Sequence, residues 1–441
     1  MNIVKIPYTY SVMQLNTPHF IKTLIISISL FTALACSDNQ SEEQEQARIG
    51  ITTLREPFHK SDHVCGEYPS YYLEYLDDTK CRKVLPSNRD RSFTCPINTT
   101  PEWLAENPGY APVEEGAEGN LVVDSEALKN FVDQEAAVTV ILIRRVNGVP
   151  YYRYLSNGLH DQTRELWSSS KFLGILNASE SLRYSSDGQI GLDAMVGEIS
   201  LGDLVSIVHN YDEKTYTSNG LMYWFHDVGG RHFANQLIHQ RWLNRPEAEI
   251  YGGNYGARAP DLGFEFSSDA GVVKIKQDQG WIKSNVLSTF TLAEALKRVV
   301  MYRENPQTNL EFSTWEDMQV LLYGAQNSQM YDAQTPQGME GDISVYLQSA
   351  VDINAINQNT QGQWRIFSKL GFGYSRGGEV VHTDYGCFPN ANENGEIQDN
   401  QGVELVISLH QPMNENYVKG DRKVADIYRN IVQAVWRGDL R

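Results

Sequence analysis

The stretch Trp167-Ser168-Ser169-Ser170-Lys171-Phe172-Leu173-Gly174-Ile175-Leu176 stands where two strand-like runs give way to a helical one. Ser168–Leu176 reads as helix, and residues three apart on a helix share a face. A lysine amine can therefore sit beside the Ser168 hydroxyl. A hydroxyl is a poor nucleophile at neutral pH and needs such a neighbouring base. The S-x-x-K spacing occurs once in the 441 residues. About one occurrence is expected by chance in a chain of this size, so the pattern takes its meaning from its surroundings.

Upstream, Ala137–Val146 and Val149–Leu155 are rich in Val, Ile and Tyr, and Asn147-Gly148 separates them. That is a hairpin signature. Before them, Asp124 as N-cap with Ala127, Leu128, Phe131 and Val132 predicts a short amphipathic helix. Downstream, helices are predicted at Leu201–Val208, Gly220–His226, His232–Trp242, Thr291–Tyr302 and Thr314–Tyr323. The chain then reverts to strands at Gln363–Gly373, Arg376–Tyr385 and Gly402–Leu409, and closes on a helix at Arg422–Val435. The two ends can meet in one sheet. The expected fold is α+β, an α/β/α sandwich: a five-stranded antiparallel sheet flanked by helices, with a helical lobe inserted at about residues 160–360.

Composition narrows the function classes. With 37 Lys+Arg against 55 Asp+Glu, the net charge is −18, which argues against a nucleic-acid partner. One apolar run, Leu24–Ala35, follows Lys22 and ends Ala-Leu-Ala-Cys. It is too short to span a bilayer and has the layout of a secretory signal. Cys36 after Ala35 makes it resemble a bacterial lipoprotein signal; an ordinary cleaved signal is the alternative. The expected organisation is a signal peptide at 1–35, a lipidated tether at 36–46, a Cys-containing N-terminal extension at 47–114, and the main domain at 115–441. The expected location is the periplasmic side of a bacterial cell envelope, held to a membrane by lipid on Cys36. Beyond Cys36, the cysteines are Cys65, Cys81, Cys95 and Cys387. An exported chain permits disulfides, and four cysteines allow three pairings. His209, His226, His232 and His239 lack the tight spacing of a zinc site. Neither a metal nor a cofactor is expected.

Two further motifs give the serine its context. Thr217-Ser218-Asn219 precedes a helical run ending Gly229-Gly230, and Lys369-Leu370-Gly371 lies in a predicted strand. The order S-x-x-K, S-x-N, K-T-G is the signature of penicillin-binding proteins and class A β-lactamases. Residues 120–441 resemble that serine-hydrolase superfamily, closest in layout to class A β-lactamases. Arg245-Pro246-Glu247-Ala248-Glu249 resembles the R-x-E-x-E of the class A omega loop. The resemblance implies Glu247 as the base that activates the deacylating water, and a structural Arg245–Glu249 ion pair. Arg376 would face a substrate carboxylate.

The implied chemistry is acyl transfer. Ser168 attacks a carbonyl, and Lys171, or Glu247 through water, takes its proton. The backbone N–H groups of Ser168 and Phe372, beside Gly371, would form the oxyanion hole. Thr217 or Ser218, with Lys369, would pass the proton to the leaving group, and Asn219 completes the second motif. The expected substrate is an amide or ester, a small molecule or cell-wall peptide related to β-lactams, handled by a monomer. Departures from the pattern are also visible. Thr217 replaces a serine, and counting back from Gly229-Gly230 would instead place Tyr216 there. Leu370 replaces the hydroxyl residue of K-T-G, and Tyr251 stands where class A has an asparagine. The competing reading is a catalytically inactive lipoprotein that binds peptidoglycan or a protein partner through the old pocket.

Overall fold

The computed structural model describes residues 83–112, 121–211, 215–277, 282–373, 378–413 and 417–441. Cys36, Cys65, Cys81 and Arg376 lie outside them. Five long strands carry the main sheet: β2 (Ala137–Val146), β3 (Val149–Ser156), β4 (Arg365–Gly373), β5 (Glu379–Ala391) and β6 (Ile397–Pro412). A sixth, β1 (Val123–Asp124), adds at the edge. The strand order is β1-β3-β2-β6-β5-β4. The five long strands pair antiparallel. The first and last parts of the chain therefore meet at the β2–β6 seam. The sheet has six strands where five were expected, because β1 pairs parallel with Tyr154 and Leu155 of β3.

The predicted helix after Asp124 is absent. Leu128 N–H bonds to the Ser156 carbonyl across the sheet edge, and Phe131 N–H to Leu128. These apolar residues reach the core through turns, with Leu128 fully buried. At Asn147-Gly148, Val146 faces Val149 across a two-residue loop. Both loop residues have positive φ, 53° and 79°, the geometry for which Asn-Gly is favoured.

The period-two alternation of the strands divides the core. Val138, Val140 and Leu142 of β2 join Leu405, Ile407 and Leu409 of β6 on one face. There the last helix, α6 (Tyr417–Arg437), lays down Val424, Tyr428, Ile431 and Val435 at helical spacing. Ile141 and Ile143 face the other way, with Phe367, Val381 and Val406. That face meets the helical lobe: α1 (Lys171–Ser185), α2 (Leu201–Asn210), α3 (Ser218–Gly229), α4 (Thr289–Val300) and α5 (Trp315–Tyr323). The helix expected at 232–242 is an α-helix, Arg231–Gln236, continued by a π turn, Leu237–Arg241.

The described part of the N-terminal extension is irregular apart from a helix at Pro101–Glu106. It is strapped to the sheet. A disulfide joins Cys95 to Cys387 of β5, Arg89 pairs with Glu340 at 2.6 Å, and Arg365 donates to the Asp90 carbonyl. Among the described residues no helix is long and apolar enough to cross a membrane.

Candidate active site

β4 is the free edge of the sheet, and the loop entering α1 lies against it. Trp167–Ser170 is a turn of 3-10 helix, and Lys171 opens α1 with its N–H on the Ser168 carbonyl. The S-x-x-K motif thus straddles two helix types. Trp167 has φ of 42°, a conformation that costs energy for a bulky residue. The Trp167 indole N–H holds it by donating to Glu379 at 2.8 Å. Ser168 is half-buried, while Ser169, Ser170 and Lys171 are buried.

Gly371 sets how closely β4 can approach. A Cβ there would lie 2.5 Å from the Ser169 nitrogen and 3.1 Å from the Ser168 nitrogen. Leu370 turns its N–H and C=O off the sheet edge, toward Asp342 and Tyr211 respectively. Strand alternation turns Phe372 N–H off the same edge, two residues on. The Ser168 amide thus lies close against β4 at Gly371. The Leu370 side chain points away from it into the core beneath α6. This position contributes packing to the opposite face and no group to the pocket.

Lys171 is fully buried. Its Nζ donates to Ser218 Oγ at 2.8 Å and Asn219 Oδ1 at 2.7 Å. Ser218 Oγ in turn donates to the Val208 carbonyl. The second motif is thus brought to the first through Ser218 and Asn219. Thr217 serves elsewhere, as the N-cap of α3, its hydroxyl accepting the Gly220 N–H at 3.0 Å. Among the described contacts, the Thr217 hydroxyl serves the helix end, while Ser218 and Asn219 meet Lys171.

A tyrosine that sequence reasoning missed stands beside Lys369. Tyr211 caps the C-terminus of α2 in a left-handed conformation, φ 55°. Its hydroxyl donates to the Leu370 carbonyl at 2.9 Å, accepts from Lys369 Nζ at 2.9 Å and lies close to Ser168. Burial raises its pKa above the ordinary phenol value; the Lys369 charge pulls the other way. The hydroxyl is therefore protonated at neutral pH. The sequence pointed to a tyrosine at 216; the fold supplies one five residues earlier, from the end of α2.

Lys369 of β4 is also fully buried. Besides Tyr211 it donates to Asp342 Oδ2 at 2.8 Å and the Leu370 carbonyl at 3.1 Å. Burial by itself would lower its pKa, but Asp342 outweighs this and holds it above the usual lysine value. Asp342, in the loop after a short helix at Gly338–Gly341, carries no motif by which the sequence could have revealed it. His209 of α2 is buried nearby, its pKa pushed well down by burial and by Lys369 and Lys171. It stays neutral between two lysines.

The loop at 245–249 forms the expected ion pair, Arg245 Nε to Glu249 at 3.0 Å. Glu249 is buried and accepts from Ser288 and Thr291. Glu247 is not brought to Ser168. It is exposed and opens on a surface cavity beside His160, Asn244 and Phe290, whose lining includes neither Ser168 nor Lys171. The turn that buries Glu249 sends Glu247 outward. Tyr251 donates to the Ser170 carbonyl at 2.9 Å and meets Tyr255 at 2.8 Å, and Tyr255 reaches Ser170 Oγ at 3.2 Å. Two phenols thus fill the space beside Ser170. Among the described residues no group of three His, Cys, Asp or Glu is placed to hold a metal ion.

No protein-family model and no curated protein matches the sequence. Solved structures do match. A beta-lactamase from Sphaerobacter thermophilus is similar at 14% identity and TM-score 0.41, covering 75% of this chain and 100% of its own. A class A beta-lactamase from Mycobacterium abscessus is similar at 13% and 0.39, covering 70% and 96%. An ancestral class A beta-lactamase is similar at 15% and 0.38, covering 70% and 99%. At such identities the chemistry rests on this chain's own side chains.

Proposed function

We propose that this chain is a serine acyl-transfer enzyme that forms a covalent acyl-enzyme on Ser168 from an amide or ester. The observation that carries the reading is the Tyr211 hydroxyl, bonded to the Lys369 ammonium and close to Ser168, with Lys171 one helical turn from the serine. In the proposed step, Ser168 Oγ bonds to the substrate carbonyl carbon and gives its proton to Lys171, whose neutral amine keeps a lone pair after donating to Ser218 and Asn219. The carbonyl oxygen takes the electron pair and is held by the Ser168 and Phe372 N–H groups; such donors are worth about 3–4 kcal/mol each in a serine hydrolase. As the bond to the leaving atom breaks, Tyr211 relays a proton to it. The Lys369 ammonium, bonded to the phenol oxygen at 2.9 Å, replaces that proton.

Deacylation is slow in this reading. Fast hydrolysis needs a carboxylate to activate water, and among the described residues Glu247 faces elsewhere while Tyr251 and Tyr255 occupy the space beside Ser170. The substrate class we infer is an ester or cell-wall peptide amide, met outside the cytoplasm by a chain tethered through lipid on Cys36. A second reading, a non-catalytic binding protein, draws on one observation: all three Lys369 donors are taken by Asp342, Tyr211 and the Leu370 carbonyl. That arrangement does not suit capture of a substrate carboxylate.

Intact mass after exposure to a fluorophosphonate and to a penicillin, beside Ser168→Ala, separates the readings. An adduct on the parent protein only, persisting for hours with an ester or penicillin, supports the proposed acyl-enzyme. No adduct from either reagent overturns it in favour of the binding protein.

A further inference from the structure

Among the described residues Arg144 is a cation without a counter-charge. It is 4% exposed, and no carboxylate among the described residues pairs with it. Its Nε has no hydrogen-bond partner, and its terminal nitrogens make only long bonds to the Ile143 and Gly402 carbonyls, 3.5 and 3.3 Å. The neighbouring Arg145 shows the contrast, with Glu304 and Glu404 both on its guanidinium. A buried charge left so is costly. The Trp103 ring, 5.2 Å away, offsets part of that cost.

The guanidinium lines a cavity of about 200 Å³ at the far end of the sheet, where Arg437 and Arg441 also stand. Three arginines meet there on a chain of net charge −18. Arg437 has an outside partner, Asp439 at 3.0 Å. Trp436 and Asn390 belong both to this cavity and to an adjoining one of about 330 Å³. The second is apolar, walled by Val351, Ile356, Ala391 and Val432. One continuous groove thus has a cationic end and an apolar end, with the 40% exposed Trp436 between them.

We propose that this groove binds an amphiphilic oxyanion: a carboxylate or phosphate head on Arg144, with an apolar chain lying past Trp436. The planar fork of a guanidinium suits two oxygens of either head. The site is separate from Ser168. Leu370 faces His382 on β5, and Asn390 lies eight residues further along that strand, roughly 25 Å away at about 3.4 Å per residue.

The test is calorimetric binding of sodium octanoate and octyl phosphate to the whole protein, with octanol and sodium acetate as half-ligands. The expected result is saturable binding of one or both anions, weakened at least about tenfold by Arg144→Met, as loss of a charged hydrogen-bond pair implies. Trp436→Ala weakens it too, and Ser168→Ala leaves it unchanged. Tighter octyl phosphate assigns a phosphate head, and tighter octanoate a carboxylate. Removing an unpaired buried charge should leave the melting temperature of Arg144→Met equal or higher. Octanol binding as tightly as octanoate, anion binding indifferent to Arg144→Met, or a marked fall in the melting temperature of Arg144→Met would each overturn the proposal.

Discussion

Replacing Tyr211 by phenylalanine removes one oxygen and tests the proton relay directly. That oxygen accepts from Lys369 and donates to Leu370, both at 2.9 Å, and lies close to Ser168. Lys369 keeps Asp342 at 2.8 Å and the Leu370 carbonyl at 3.1 Å, so the buried cation stays paired. The Leu370 carbonyl loses the Tyr211 donor and keeps Lys369. The stability cost is therefore about 1 kcal/mol, the net worth of one hydrogen bond. The catalytic cost is larger. A positioned acid–base group contributes about 100- to 10,000-fold, or about 3–5 kcal/mol of barrier. Pre-steady-state acylation by a p-nitrophenyl ester, read as the burst of nitrophenolate, should slow by that factor in Tyr211→Phe while the burst amplitude persists. Thr217→Ala is the control. Thr217 caps α3, so its loss costs about 1 kcal/mol of stability and leaves the burst rate near that of the parent. Acylation of Tyr211→Phe at the parent rate, with Thr217→Ala slow instead, would return the relay to Thr217 and refute the reasoning.

Four other outcomes are expected. Gly371→Ala pushes a methyl to 2.5 Å from the Ser169 nitrogen; strain of about 1–3 kcal/mol should appear in thermal unfolding, with acylation abolished as β4 withdraws from Ser168. Glu247→Gln, an exposed change away from Ser168, should alter acyl-enzyme lifetime by no more than about twofold, the effect of a surface substitution. Glu294 is buried, which opposes its charge, but Lys297 and Arg298 hold its pKa down to about 2. Its folded value lies below its unfolded one, so the stabilisation is present above the ordinary glutamate value of 4.5 and is lost as pH falls toward 2. Denaturant titrations across that window should show about 3 kcal/mol of this loss, absent in Glu294→Gln. Opening the Cys95–Cys387 bond, which spans 292 residues, by the double change Cys95→Ser, Cys387→Ser should cost up to about 5 kcal/mol by loop-closure entropy, measured as a lower melting temperature that reducing agent no longer alters.

Local chemistry decided much of the architecture. The Asn147-Gly148 hairpin, the amphipathic stripe of α6 and the capped α5 follow from turn geometry and side-chain periodicity, which act over a few residues. The Ser168–Lys171 pair and the strand bearing Lys369 and Gly371 were visible for the same reason, whereas the Arg245–Glu249 bridge was implied by the resemblance to the class A omega loop. The segment at 125–132 misled because its apolar spacing suits a helix, while the edge of β3 offers its backbone a competing partner at Ser156. Glu247 misled in another way: spacing fixes which residues are near in sequence, but the direction of a loop is set by what it packs on, here Ser288 and Thr291 drawing Glu249 inward.

From the residues alone came most of the elements, the order in which they recur, and the pairing of Ser168 with Lys171. Only the tertiary structure put Tyr211 and Asp342 around Lys369, because those contacts join positions 27 and 158 residues apart through the closing of the helical lobe on the sheet edge. A hydroxyl at the end of α2 carries no local mark of its partner; its role exists once packing has carried it to Ser168 and burial has removed the water that would otherwise take its bonds.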